Sequence, residues 1–133
     1  MAGLYVDTSA LGRVLLAEPD AQAIADETES YEVTWSSALL DVELRRVALR
    51  EGIEEGVGEL IAGVTLVDLD ADGLHRAGVI APSEVRTLDA IHLQAAVELH
   101  KAGAIDAVLT FDHQLQAGCI HHGLRLSSIS KPR

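Results

Sequence analysis

Apolar and polar positions change period repeatedly along this chain, and each change marks an expected element. Gly3-Leu-Tyr-Val is a short unbroken apolar run that stops on Asp7, as expected of a strand buried on both faces. Residues 9–17 repeat apolar and small side chains at helical spacing, and Pro19-Asp20 suits the start of a second helix running to about Glu29. Residues 32–34 predict a brief strand. Ser36 and Ser37 are good N-caps for a helix to Arg50, in which Leu40, Leu44 and Ala48 share one ridge and after which Gly52 provides the stop. A further helix is expected over 53–61, closed by Gly63, then a strand over 64–69. Asp70 or Asp72 caps the segment containing Leu74 and Ala77, and Pro82 begins a break. Thr87 caps a strongly apolar helix over 88–102, ended by Gly103. Residues 106–110 predict a strand, 112–117 a short helix, 124–127 a last strand and 131–133 a loose tail. Strands alternating with helices imply a three-layer α/β/α sandwich around a central, mainly parallel sheet, and the length suits a single domain over 1–133.

Composition narrows what such a domain can do. With 48% hydrophobic residues a packed core is expected rather than disorder. Only two Tyr, one Trp and one Phe occur, so the core must be aliphatic and the stacking platforms of single-strand binders are scarce. The lone Cys119 excludes an internal disulfide and cysteine-based zinc spacing. The first apolar run is interrupted at Asp7 and has no basic segment before it, which argues against a signal peptide, and no run reaches membrane-spanning length. A cytoplasmic location is expected. The formal charge of −11 opposes broad electrostatic binding to nucleic acid and favours a basic protein partner. Bound cations and a local arginine patch can still reverse that field at one site.

Four acids far apart in sequence bear on the chemistry. Asp7 closes the first expected strand, and Asp112 follows the 106–110 strand by two residues. Asp89 sits in the first turn of its helix, and Glu43 sits in the second turn of another, between the apolar Leu39 and Val47. In a parallel β/α fold, strand C-termini and helix N-termini share one sheet edge, where ligands bind. Each acid alone has a structural role open to it. Asp7 and Asp112 can cap helices, Asp89 can complement a helix dipole for about 0.3–1 kcal/mol, and Glu43 can pair with Arg46 at the rim. Together at one edge, four carboxylates repel unless protons or metal ions compensate. Such a cluster suits hard divalent cations, Mg²⁺ or Mn²⁺, and a pair of such ions can clamp the attacking and leaving oxygens of a phosphodiester.

Other motifs carry less. Residues 68–73 copy the first half of an EF-hand loop, but Val79 occupies the position that needs a bidentate Glu. The six histidines show no metal-site spacing; His92 and His113 are placed to edge the acidic site but are read as core or surface residues. The Glu51, Glu54, Glu55 and Glu59 group reads as a solvated helix face. There is no glycine-rich phosphate loop and no GxSxG elbow.

Four segments occur in an order that resembles a known family: Tyr5-Val-Asp7-Thr-Ser-Ala-Leu11, Ser36-Ser-Ala-Leu-Leu-Asp-Val-Glu43-Leu-Arg-Arg46, Arg86-Thr-Leu-Asp89-Ala-Ile-His-Leu93 and Leu109-Thr-Phe-Asp112. The series is similar to the PIN-domain ribonucleases, specifically the VapC-type toxins of type II toxin–antitoxin pairs, over essentially the whole chain. The resemblance implies a PIN-like fold and an endoribonuclease whose quartet Asp7, Glu43, Asp89 and Asp112 binds one or two Mg²⁺ or Mn²⁺ ions for in-line hydrolysis of RNA. Thr110, with Thr8 or Ser9, matches the hydroxyl positions that steady such a site. Arg13, Arg45, Arg46 and Arg86 are candidates for phosphate contacts, with salt bridges as the alternative. The family also implies a cognate VapB-type antitoxin whose basic tail blocks the site, and a homodimer.

Two other classes compete with this reading. A receiver-like phosphorylated domain needs an acid pair after the first strand and a Lys after the last, and both are missing here; a HAD-type phosphatase needs Asp-x-Asp, but position 9 is Ser. A non-catalytic PIN-like scaffold keeps the fold without turnover, and metal-dependent cleavage separates it from the enzyme.

Overall fold

The backbone of β1 (Gly3–Val6) is the centre of the molecule, and its alternating side chains divide the core in two. The computed structural model describes residues 2–130, so the tail expected at 131–133 lies outside the described residues. Along the chain follow α1 (Thr8–Leu15), α2 (Ala21–Glu29), β2 (Val33–Ser37), α3 (Leu39–Glu51), α4 (Val57–Ala62), β3 (Thr65–Val67), α5 (Ala71–Gly78), α6 (Thr87–Lys101), β4 (Ala107–Leu109) and α7 (His113–His121), with a 3₁₀ turn at Ser128–Ser130. The sheet order is β3-β2-β1-β4, and every pairing is parallel. Leu4 and Val6 pack toward Leu11, Ile24, Leu40, Leu44 and Leu109. Tyr5 points the other way, into a core with Leu93, Ala96, Val108, Leu115 and Cys119. This period-2 division gives the expected three-layer sandwich, α1–α4 on one face and α6 and α7 on the other.

Two close approaches require glycine. A Cβ on Gly3 would lie 2.1 Å from the Ala104 carbonyl oxygen, where the loop before β4 crosses the start of β1. A Cβ on Gly118 would meet Leu93 at 2.8 Å, so a glycine here lets α7 press onto α6.

Several boundaries differ from the sequence expectation for identifiable reasons. Ser36 and Ser37 are the fully buried end of β2 rather than caps ahead of a helix, because β1 and β3 pair on either side of that strand. Ser36 Oγ donates to the Val6 carbonyl at 2.6 Å, while Ser37 Oγ still accepts the first N–H of α3, from Leu39, at 3.1 Å. The helix expected over 53–61 starts only at Val57, after left-handed turns at Gly52 (φ 68°) and Gly56 (φ 87°). Thr87 is the first residue of α6, and the extended Arg86 takes the cap position without a side-chain bond. The strand expected over 124–127 reduces to one bridge, Val108 with Leu126.

Candidate active site

The register of the sheet sets two of the acids at one level. Val6 pairs with Leu109, so Asp7 and Thr110, the next residues on each strand, leave the sheet side by side. Asp7 is 3% exposed and caps α1, its Oδ1 accepting from the Ala10 N–H at 3.2 Å. Two hydroxyls complete its shell: Ser9 Oγ donates to Oδ1 and Thr110 Oγ1 to Oδ2, both at 2.7 Å. The same hydroxyl oxygens accept backbone N–H groups from the next loop, Ser9 from Phe111 at 2.9 Å and Thr110 from Asp112 at 3.1 Å. Asp7 thereby fastens the start of α1 to the end of β4. Burial raises its pKa, against the opposing effects of His92 and of these donors.

Asp112 caps α7, its Oδ1 accepting from the Leu115 N–H at 2.9 Å. The capping roles open to Asp7 and Asp112 from sequence are therefore real, yet both caps are also at the shared edge. Glu43 reaches the edge from α3. Its Oε1 accepts from Thr8 Oγ1 at 2.6 Å and meets His92 Nε2 at 2.8 Å, so its partners are these two rather than Arg46. Burial works to raise the Glu43 pKa, but the hydrogen bonds from His92 and Thr8, with the charge of His92, bring it below the ordinary carboxylate value. Asp89, in the first turn of α6, behaves in the opposite way. Burial first, then the charges of Asp112, Asp7 and Glu43, push its carboxyl up to about 6. Like charges nearby disfavour the ionised form of a carboxyl, so these acids oppose the charge of Asp89.

Among the described residues, no three His, Cys, Asp or Glu side chains are gathered closely enough to hold a metal ion as they stand. The donor chemistry nonetheless fits a hard divalent cation: the four acids offer carboxylate oxygens, and Asp89 carries a repulsion that a cation would relieve.

The candidate arginines separate. Arg13 lies 4.6 Å from the Phe111 ring centroid, pairs with Asp20 at 3.3 Å, and lines a groove of about 680 Å³ with Thr8, Ser9, Phe111 and Asp112. Arg45 is bound to Asp41 on the exposed surface of α3, a salt-bridge role two residues off the Glu43 stripe. Arg46 and Arg86 are exposed and have no salt-bridge partner among the described residues. Arg50, which the motifs did not single out, lines the groove beside Val47. Its signal was available: positions 43, 47 and 50 form one helical stripe. His113 is exposed, whereas His92 is 2% exposed and bonded to Glu43, so it belongs to both the core and the margin of the site. Away from the acids, a more apolar groove lies between α5 and α6, lined by Leu74, Val79, Ile80 and Val85.

The chain and its fold have matches among known proteins. A model of the PIN domain covers residues 4–119, and the chain belongs to the PIN domain family. It is 33% identical over 132 residues to "Ribonuclease VapC47" of Mycobacterium tuberculosis, covering 94% of this chain and 96% of that one. It is 35% identical over 101 residues to "Ribonuclease VapC46" of the same species, covering 74% of this chain and 78% of the relative. The fold is also that of the crystal structure of M. tuberculosis VapC20, a sarcin-ricin loop cleaving toxin, with TM-score 0.68 over 86% of this chain and 93% of the other at 18% identity.

Proposed function

We propose that this chain is a metal-dependent endoribonuclease, the toxin of a type II toxin–antitoxin pair, with Asp7, Glu43, Asp89 and Asp112 as its catalytic acids. The observation that supports the reading is topological: Asp7 and Asp112 follow the ends of the paired strands β1 and β4, Asp89 lies in the first turn of α6, and Glu43 is hydrogen-bonded to Thr8, the residue after Asp7. The relatives named ribonucleases support the activity over nearly the full length of the chain. Asp7, Glu43, Asp89 and Asp112 would hold Mg²⁺ or Mn²⁺, and a bound ion supplies an activated water and neutralises charge on the phosphodiester.

The protein's own residues do the rest. Thr110 and Ser9 hold Asp7 by both oxygens, and Thr8 holds Glu43, so two acids keep their orientation before substrate arrives. Arg13 and Arg50 bring positive charge to the adjoining groove, where the RNA backbone would run; Arg46 and Arg86 are the outer candidates for phosphate contact. Residues 1–133 act as one domain. The acidity of the chain suits a VapB-type antitoxin with a basic segment laid across the site, and the working form is a homodimer in the cytoplasm. Among the described residues, no helix is long and apolar enough to cross a membrane.

The test is incubation of antitoxin-free protein with a mixed cellular RNA pool in Mg²⁺ or Mn²⁺ against EDTA. Discrete fragments that need the metal are expected. Absence of cutting by folded, metal-supplied protein on every RNA offered would overturn the enzymatic reading in favour of a binding scaffold.

A further inference from the structure

A buried polar chain runs behind Glu43, away from the groove. Tyr5 points from β1 into the α6–α7 core and is fully buried. Its Oη accepts from the Ser37 N–H at 3.1 Å and lies 2.7 Å from His92 Nδ1, with the two rings edge to face at 5.9 Å. A carboxylate can only accept, so the imidazole carries a hydrogen on Nε2, aimed at Glu43 Oε1 2.8 Å away, while Nδ1 is anchored by the phenol.

Both donors to Glu43, His92 and Thr8, land on the same oxygen, Oε1. Among the described residues Oε2 receives none. An arrangement serving only to satisfy a half-buried carboxylate would gain more by spreading donors over both oxygens. Loading one oxygen fixes the rotamer and leaves the other with its lone pairs. We propose that His92, held in place by Tyr5, is a positioning residue that grips Glu43 through Oε1 and keeps Oε2 available to a divalent cation. This role rests on the metal-dependent reading above. Side chains that orient a metal-binding residue from behind typically matter by about 10–100-fold in metal affinity.

Two substitutions of similar size separate this role from mere packing. His92→Gln places an amide N–H near the Nε2 position and keeps a donor for Glu43; His92→Asn places its amide near Nδ1, keeping a partner for Tyr5 but losing Glu43. Mn²⁺ affinity of the full chain, read from the free-ion resonance in electron paramagnetic spectra, is expected to fall about tenfold or more in His92→Asn and by no more than about threefold in His92→Gln. Both variants should lose similar melting temperature without metal. Tyr5→Phe should lie between them. Equal Mn²⁺ affinity in the Asn and Gln variants, or losses that merely track melting temperature, would overturn the proposal. A readout without metal is the ¹⁵Nε2 resonance of His92, expected to move in Glu43→Gln. If that shift occurs while the unaltered protein binds no Mn²⁺, the metal reading fails, and the positioning role with it; if the protein binds Mn²⁺ and the resonance does not move, the positioning role alone fails.

Discussion

Asp7 and Asp89 are carboxylates at the same edge, yet their surroundings are opposed. Asp7 is enclosed by three donors, from Ala10, Ser9 and Thr110, and joins two segments of the fold. Asp89 is half-buried, and the charged neighbours that act on it most strongly are other acids, Asp112 and Asp7. The edge therefore has a wall rich in donors and a wall without them. Donors offset part of the cost of burying the Asp7 carboxylate on the first wall, although its pKa stays raised, whereas among the described residues no donor does so for Asp89 on the second. Asp7 is thus built into the fold, and Asp89 is held against the preference of the fold. Like charges kept together at a cost in stability are characteristic of functional sites.

The largest effects should come from breaking this contrast at the bare wall. Asp89→Asn keeps the shape and removes a repelled charge, so RNA cleavage should fall by at least about a hundredfold, the scale at which loss of one group acting on developing charge is felt. The metal-free protein should melt no lower than the parent, and higher where Asp89 is ionised. Cleavage assays paired with thermal melts decide it; a well-folded variant that still cuts would remove Asp89 from the site. Asp7→Asn sharpens the comparison, because there both properties should fall. An amide must present N–H where Ser9 or Thr110 also donates, leaving a buried donor unpaired at a cost of about 1–3 kcal/mol. Urea unfolding measures that loss directly.

Next in size is the response to pH and metal. The Asp89 pKa is raised to about 6, so the protonated carboxyl favours the folded state, and this contribution is complete below the ordinary Asp value and lost as pH rises through about 6. The shift on Glu43 is downward, so its contribution is present above the ordinary Glu value and lost as pH falls through its lowered folded value. In metal-free protein, melting temperature is accordingly expected to decline between about pH 4 and pH 7 through Asp89, with Asp7, whose pKa is also raised, acting in the same direction, and Asp89→Asn should reduce that slope. Saturating Mg²⁺ or Mn²⁺ at pH 7 should raise the melting temperature, because a ligand bound only to the native state stabilises it. The metal effect should fade below about pH 6 as Asp89 takes up its proton. No response to metal at any pH would remove the cation from the site.

The acids of both walls were legible in the sequence, and so were the hydroxyls that hold Asp7. Asp7, Asp89 and Asp112 stand at expected strand ends and helix starts, and β/α topology alone brings such positions to one edge. The layer order could be read from the alternation of elements, and Leu40, Leu44 and Ala48 are indeed the buried stripe of α3. The cap preference of serine is local and misleads at Ser36, whose burial in β2 depends on strands paired from both sides, while Ser37 keeps a bond to the first N–H of α3. The weak final strand shows the same limit: the pattern of 124–127 is strand-like, but only Leu126 finds a bridge partner. The Tyr5–His92–Glu43 chain lay beyond local reading, since its hydrogen bonds span 87 and 49 positions. The alternation of Tyr5 against Leu4 and Val6 hinted at its direction, and nothing short of the packed fold showed where that direction ends.

The smallest expected effects concern the arginines, and they test whether the groove beside the donor-rich wall is where RNA lies. Arg50 lines that groove, while Arg86 stands at the start of α6, three residues before Asp89. If either arginine binds a phosphate, its removal should leave Mn²⁺ affinity nearly unchanged and weaken binding to a non-cleavable RNA. It should also lower the slope of log affinity against log salt by about 0.7 for each phosphate no longer neutralised, the single-strand value. Arg50→Ala and Arg86→Ala measured side by side therefore locate the strand. A reduced slope in Arg50→Ala alone places it along α1 and α3, next to Asp7. A reduced slope in Arg86→Ala alone places it along α6, next to Asp89, and an equal reduction in both means that the strand crosses the acidic edge from one wall to the other. Arg45→Ala is the internal control: its guanidinium is committed to Asp41, so neither the slope nor the affinity should move.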